Sequence, residues 1–367
     1  MEMPYTLVVY DKDFRFVGWV GRVTGVEGGI RHNLVSTASF MVDDDHPRAK
    51  ALLEPGARVL VFREEEYQLG GWVQLGAGTF AVAGQITFSV SDDFQVLFDW
   101  LGWPKPGEAL TGQTVEYRTV TGPAETVVKT LVRENAVRLG FPLTTAPDQG
   151  RGAKITATFR FHPLYDRLFP AVDLAGIGVT VRQIGNGLVL DCYEPRTYKH
   201  ELTPGDATVV GGTYSLKAPS ATRVVVGGQG EGVLREFKGY PDLARESAWG
   251  RVIEVFRDAR DSEQGDVYAE RAAESLAEGA PMSALSLVLA ETKHFQYGGA
   301  GLHRGDKVTA VVNGIRVTDT LREVQLSFGG DGDVATPIIG DRTDDPSVTI
   351  AKQIRALKRG DRDRMAR

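Results

Sequence analysis

Hydrophobic positions fall into short runs bounded by turn residues through most of the chain, and hold helical spacing in only a few places. Tyr5–Tyr10 is an apolar run. Asp11–Asp13 turns the chain, and Phe14–Val20 then partly alternates. Ser36–Val42 and Arg58–Phe62 read as strands, and Thr79–Val90 as one or two more. Asp45-His46-Pro47 opens a short helix that buries Leu52 and Leu53 and ends at Pro55-Gly56. A second short helix is predicted over Ser91–Leu101. Ser91 is its N-cap, Asp92 and Asp93 favour its positive end, and Phe94, Leu97, Phe98 and Leu101 form its stripe.

The strongest helical pattern covers Pro123–Leu139, with proline at its start and Glu125 in its first turn. Ala124, Val127, Val128, Leu131 and Val132 keep the spacing, and Gly140 and Pro142 end it. Residues 141–152 read as a linker. Strands follow at Ile155–Phe161, Ile177–Ile184 and Leu188–Tyr193, with Asn186-Gly187 as the hairpin signal between the last two. Gly211–Ser220 reads as a connection. Arg223–Val226 and Trp249–Phe256 are strands, and Asp266–Leu276 is a helix closed by Gly279 and Pro281. Leu285–Leu289, Lys307–Val312 and Thr320–Phe328 are strands, with a second hairpin signal at Asn313-Gly314. Residues 329–346 read as a loose linker, and Pro346–Lys358 as a terminal helix with a charged tail. The prediction is a mainly β chain with a few helices, an α+β protein of several domains.

Composition supports that reading. The chain has 367 residues, room for two to four domains, and 43 glycines, more than an average chain carries and in keeping with many turns. Net charge is −6, from 42 basic and 48 acidic residues, which leaves no basic footprint for specific nucleic-acid binding. No stretch approaches the ~18 apolar residues of a spanning helix, so stable membrane insertion is not expected. Met1–Asp13 is too short and too polar for a secretory signal. Cys192 is the single cysteine, which leaves no internal disulfide and points to synthesis in a reducing cytoplasm.

Candidate chemistry is sparse. Val224–Gly232 superficially matches a dinucleotide loop, but Val233 stands at its last glycine position and no βαβ unit surrounds it. Asp43-Asp44-Asp45-His46 is either a helix cap or, with its cluster of oxygens, a cation site; Pro47 favours the cap. The six histidines, at 32, 46, 162, 200, 294 and 303, include no helical metal pair. Cys192 lies in an apolar strand as a small buried residue. Asp258, Asp261 and Glu263 could act as a carboxylate pair; the interleaved Arg257 and Arg260 favour a salt-bridged surface or a subunit contact. Arg304-Gly305-Asp306 leads into a strand and reads as structural. No catalytic, cofactor or metal residues are assigned, and the emptiness favours a structural or binding protein over an enzyme. One weak echo is present: Pro55-Gly56-Ala57-Arg58-Val59-Leu60-Val61 resembles Arg304-Gly305-Asp306-Lys307-Val308-Thr309-Ala310-Val311.

The order of several short motifs resembles siphophage minor tail proteins of the tail-tip baseplate hub family. They are Val8-Val9-Tyr10-Asp11, Gly18-Trp19-Val20, Asn33–Phe40, Leu53–Val59, Gly122-Pro123-Ala124-Glu125, Trp249–Asp261, Gly305-Asp306-Lys307-Val308 and Leu321-Arg322-Glu323-Val324. The resemblance spans roughly residues 5–330. It implies two β-barrel-like tube domains, at 1–120 and 221–330. A helix-plus-β domain at 121–220 would lie between them, and a linker and helix at 331–367 would follow. It implies a virion protein at the tail tip, a homotrimer whose six tube domains ring the distal tube. Its partners would be the distal tail protein, the tape-measure protein and tail-fibre or spike proteins. DNA would only pass through, during host attachment and genome delivery. Trp19, Trp72, Trp100, Trp103 and Trp249 are either interface anchors or core packing. Two other readings stay open: a receptor- or carbohydrate-binding tail protein, and a cell-wall-degrading hydrolase using Asp258, Asp261 and Glu263.

Overall fold

The computed structural model describes residues 4–340, apart from 22, 79–83, 204–208, 231, 261–264, 290–295, 313 and 331. The first stretch forms β1 (Tyr5–Tyr10), β2 (Phe16–Val20), β3 (Gly25–Arg31), β4 (Thr37–Asp43), the short helix α1 (Ala49–Leu53), β5 (Arg58–Arg63), β6 (Glu66–Gly78) and β7 (Gln85–Asp92). Helix α2 (Val96–Asp99) and β8 (Leu101–Gly102) lead into a middle block. The block holds β9 (Arg118–Pro123), α3 (Ala124–Leu139), β10 (Leu143–Thr145), β11 (Lys154–Phe159), β12 (His162–Pro163), α4 (Leu164–Leu174), β13 (Gly178–Ile184) and β14 (Gly187–Tyr193). Then come β15 (Val209–Lys217), β16 (Arg223–Gly227), β17 (Phe237–Pro241), α5 (Leu243–Trp249), β18 (Glu254–Asp258) and α6 (Gly265–Glu278). The described chain ends with β19 (Met282–Leu289), β20 (Lys307–Val312), β21 (Ile315–Gly329) and β22 (Gly332–Gly340). The fold is mainly β with a few helices and several sheets, as predicted.

The chain divides into two compact units. One holds Met1–Gly212 and Ser286–Ile339, and the other holds Thr213–Leu285. The dominant sheet runs β15-β19-β22-β21-β3-β4-β7-β6-β5-β1-β2, with β20 paired to β21 off this path. Among the described residues the path ends at β15 and at β2 without closing into a barrel. Strands from the two ends of the sequence meet in it: β21 pairs antiparallel with β3, Val324 opposite Ile30 and Phe328 opposite Val26.

The middle block has its own core. Helix α3 buries Val127, Val128, Leu131 and Val132, and α4 buries Leu168 and Phe169 in the same cluster. Gly140 ends α3 in the left-handed region (φ 60°), and its N–H returns to the carbonyls of Ala136 and Val137. In the second unit β16 lies between β17, antiparallel, and β18, parallel. Val224, Val226, Ala259, Tyr268 and Ala272 make its small core.

Several expectations need correction. The Ser91–Leu101 helix shrinks to a 3-10 turn over Asp93–Gln95 and the four residues of α2; Ser91 lies inside β7. Asp93 is diverted to a buried arginine, and Leu101–Gly102 is drawn into pairing with β12. The first hairpin turns on Gly185-Asn186, because Ile184 pairs with Gly187 and Gly185 takes the positive φ. Residues 209–217 form a strand where a connection was expected, and β22 falls within the expected linker. The second hairpin is in register, Val312 opposite Ile315. The expected terminal helix, 346–358, lies outside the described residues.

Candidate functional site

Register alone builds a broad polar surface on the first unit. Ser327 lies opposite Glu27, Glu27 opposite Ser39, and Ser39 opposite Ser89. The neighbouring row is Gln325, Gly29, Thr37 and Ser91. Because side chains alternate along a strand, residues two apart share a face. One face of β21, β3, β4 and β7 is therefore mainly serine, threonine, glutamine and glycine, with the exposed Met41 and the charged Glu27, Arg31, Asp43 and Glu323 among them. The other face carries Val324, Leu326, Val26, Ile30, Phe40, Phe88 and Val90, all buried. Arg31 is the one cation on the polar face, and its Nε donates to Glu323 at 2.9 Å. Glu27 and Asp43 leave this face net negative.

Glycine lets the polar strands pack closely. A β-carbon on Gly28 would lie 3.2 Å from the Thr37 carbonyl oxygen, and one on Gly29 would lie 2.9 Å from Glu323 Oε1. On the adjoining β6 a β-carbon at Gly71 would meet the Ser91 carbonyl oxygen at 1.9 Å, a contact no side chain survives.

Buried polar ties hold the sheet to its surroundings. Arg58 on β5 is fully buried and donates from Nη2 to both oxygens of Asp93, at 2.7 and 2.8 Å, and from Nε to Gln183 on β13 at 3.0 Å. Its guanidinium is stacked 4.5 Å from the Phe14 ring centre and 4.6 Å from that of Trp72. Burial nevertheless outweighs this partner and pushes the Asp93 carboxyl up to about 7; neighbouring Asp92 is pushed up to about 6 for the same reason.

Asn33, at φ 50°, donates to Asp173 and to the Ile177 carbonyl and accepts from the Val179 N–H, all within 2.9 Å. His32 Nδ1 lies 2.8 Å from the Tyr193 hydroxyl. Burial, and the nearby charges of Arg322 and Arg304, push His32 down to about 3 and keep it neutral. At the other side of the sheet Arg63 meets Asp333 of β22 at 2.7 Å, and the Tyr5 hydroxyl donates to the same carboxylate. Burial, then that carboxylate, drives the Tyr5 phenol upward.

The residues singled out in the sequence do not converge. Asp43 ends β4, with Asp44 and Asp45 exposed after it. Helix α1 starts only after Arg48, without a side-chain cap, so these acids do not cap it. Asp44, Asp45, Lys50 and Glu54 instead border an open depression. His46 Nδ1 accepts from the Arg48 N–H at 3.1 Å. Among the described residues no group of three or more His, Cys, Asp or Glu side chains is placed to hold a metal.

Cys192 is buried on β14, and burial pushes its thiol up to about 12. Val224–Gly227 turns through Gly230 and Gly232, both at positive φ, into β17 rather than into a helix cradling phosphates. Asp258 pairs with Arg235 at 2.7 Å, as a salt-bridged surface requires; Asp261 and Glu263 lie outside the described residues. Asp306 is buried and held by Arg196 at 2.9 Å and by the His303 N–H. Trp72 and Trp103 lie against arginines, Trp100 is buried, Trp249 is at the margin of exposure, and Trp19 is 60% exposed. The polar face escaped the sequence reading because β3 carries three glycines in seven residues and shows no strand pattern.

A family model described as Siphovirus ReqiPepy6 Gp37-like protein matches residues 6–341. No curated protein matches the chain. Among solved structures, the fold is similar to that of a 43 kDa tail protein of prophage MuSo2 from Shewanella oneidensis. That match has a TM-score of 0.59 at 13% identity and covers 92% of this chain and all (100%) of that one. A tail protein from Neisseria meningitidis MC58 gives 0.58 at 12% identity, with 92% and 97% covered. Prophage tail protein gp18 from Listeria monocytogenes EGD-e gives 0.55 at 13%, with 96% and 99% covered.

Proposed function

We propose, from the premise that the chain belongs to the Siphovirus ReqiPepy6 Gp37-like family of siphophage tail proteins, that it is the baseplate hub of a tail tip. Three copies would ring the distal end of the tail tube. They would touch the distal tail protein, the tape-measure protein and the fibre or spike proteins, and take part in host attachment and genome delivery. The role is structural, with no catalytic step. Within each chain, two tube-type β domains would occupy residues 1–120 and 221–330, and the block at 121–220 would decorate the ring. Gly56 (φ 81°) and Gly305 (φ 87°) stand just before β5 and β20, and each strand opens a hairpin, which fits the sequence echo between those segments.

The observation that carries the reading is the polar sheet face. A duct for DNA must not bind phosphates, and phosphate affinity comes from lysine and arginine. Four adjacent strands present mainly hydroxyls, amides and glycine there, with Glu27 and Asp43 adding negative charge and the one arginine of these strands' polar face neutralised by Glu323. Placed around a channel, that face lets a polyanion slide. The solution mass of the purified chain tests the assembly. A species near three times 39.9 kDa is expected, and a monomer at every concentration refutes a self-assembling hub.

A further inference from the structure

β2 is the last strand at one end of the sheet path, and among the described residues its outer edge pairs with nothing. Such an edge offers a row of free backbone N–H and C=O groups as a template for another strand. Chains that keep an edge unpaired guard it with lysine, proline or inward charge. Phe16-Val17-Gly18-Trp19-Val20 has none of these.

One side of β2 is closed. Val20 is buried, and Arg48 lies over Gly18 so that a β-carbon there would sit 2.4 Å from Nη2. The other side is open, with Phe16 55% and Trp19 60% exposed. Tyr10, Phe16 and Trp19 run outward edge to face, their centroids 6.0 and 5.8 Å apart. At the far end of the same path β15 has, among the described residues, one neighbouring strand, and Gly211 on it is exposed, with nothing within 4 Å of where its β-carbon would be.

We propose that β2 receives β15 of a second copy of this chain, so that the sheet continues from copy to copy. The proposal rests on the trimeric reading above and names its seam. An uncharged, aromatic edge suits a permanent contact between like chains, since obligate interfaces are the more apolar class. The two open ends of the sheet are different surfaces, so their contact is heterologous and repeats around an axis until the ring closes; a β2-to-β2 contact would stop at two copies. Two half-uncovered aromatic side chains present on the order of 200 Å². A stable interface needs about 800 Å² per partner, so β2 is the centre of the contact and not its whole extent.

The test compares the wild-type chain, Trp19→Lys, Trp19→Cys, Gly211→Cys and the double cysteine variant. Each is measured by light scattering on a sizing column and after treatment with a short bismaleimide. Cys192 is buried and stays silent. Trp19→Lys changes an exposed side chain and keeps the wild-type circular dichroism. It raises the concentration at which trimers form by roughly 30-fold or more, the loss typical of an aromatic hot spot. The double cysteine variant gives covalent dimers and trimers, and neither single variant does. Trimers unaffected by Trp19→Lys, with no cross-link in the double variant, overturn the seam and leave the trimeric reading standing. A wild-type monomer at all concentrations overturns both. Cross-linking by Trp19→Cys alone places β2 on β2 and overturns the head-to-tail arrangement.

Discussion

Removing the Arg58 guanidinium should be among the most damaging single changes in the first unit. Arg58 and Asp93 side chains are both 0% exposed. Arg58→Met strips Asp93 of both short hydrogen bonds and of its counter-charge, and it unseats the stack between Phe14 and Trp72. Breaking a buried pair from one side typically costs about 3–5 kcal/mol; here Asp93, already raised to about 7 with its partner present, would have to take up a proton and lose both hydrogen bonds. Asp93→Leu should cost a similar amount by stranding the arginine. The double variant replaces both with apolar groups, so it should lose less than the two single changes added together, with a coupling of about 2–4 kcal/mol.

The readout is urea unfolding of all four proteins at pH 7.5. pH gives a second arm. Asp93 is raised in the folded chain to about 7 from 3.8, so between those values the folded state holds the proton more tightly than the unfolded one. That contribution is fully present below pH 3.8 and is lost as pH rises through 7. Asp93→Asn should flatten that part of the stability profile. Single changes that each cost under about 1 kcal/mol and add without coupling would refute the claim that this pair is a tight, dry tie.

Three further outcomes follow from the same geometry. His32 titrates near 6.5 when unfolded but only near 3 when folded, so acidification from pH 7 to 5 should remove about 2 kcal/mol of stability through this residue. His32→Gln should make unfolding midpoints less sensitive to pH in that window. Gly71→Ala drives a methyl into the Ser91 carbonyl, and should cost on the order of 3 kcal/mol with loss of β6–β7 amide protection in hydrogen exchange. Ser39→Lys with Ser89→Lys adds two cations to the polar face of the sheet. Thermal stability should change by less than about 1 kcal/mol, while genome delivery by phage carrying the variant should slow in a salt-dependent manner.

The strands with strong apolar patterns were legible, as was the α3 helix with its proline start and Gly140 stop. So was the mainly β character. The elements that escaped share one cause, which is that long-range contacts overrode local pattern. β3 has glycine at three of seven positions, at Gly28 because the Thr37 carbonyl leaves little room for a side chain, and a glycine-rich strand reads as a turn. Helix α4 hides behind Pro163 and carries Pro170 within it, yet Leu164, Leu168, Phe169 and Val172 bury one face against the middle core. Ser91, Asp92 and Asp93 make a good capping sequence, but β7 pairing and Arg58 claim them first. The polar face and the β2 edge could not be read at all without register, since each is assembled from residues far apart in the chain. Trp19 was in view as one of five tryptophans; only its neighbours distinguish it from Trp100.

The most direct measurement is a cryo-EM reconstruction of the purified assembly at side-chain resolution. The account predicts a three-fold ring whose channel is lined by the face carrying Ser39, Ser89, Gln325 and Ser327, with Val26, Phe40 and Phe88 turned away from it. A ring lined by other residues, with this face turned outward to solvent, would contradict it.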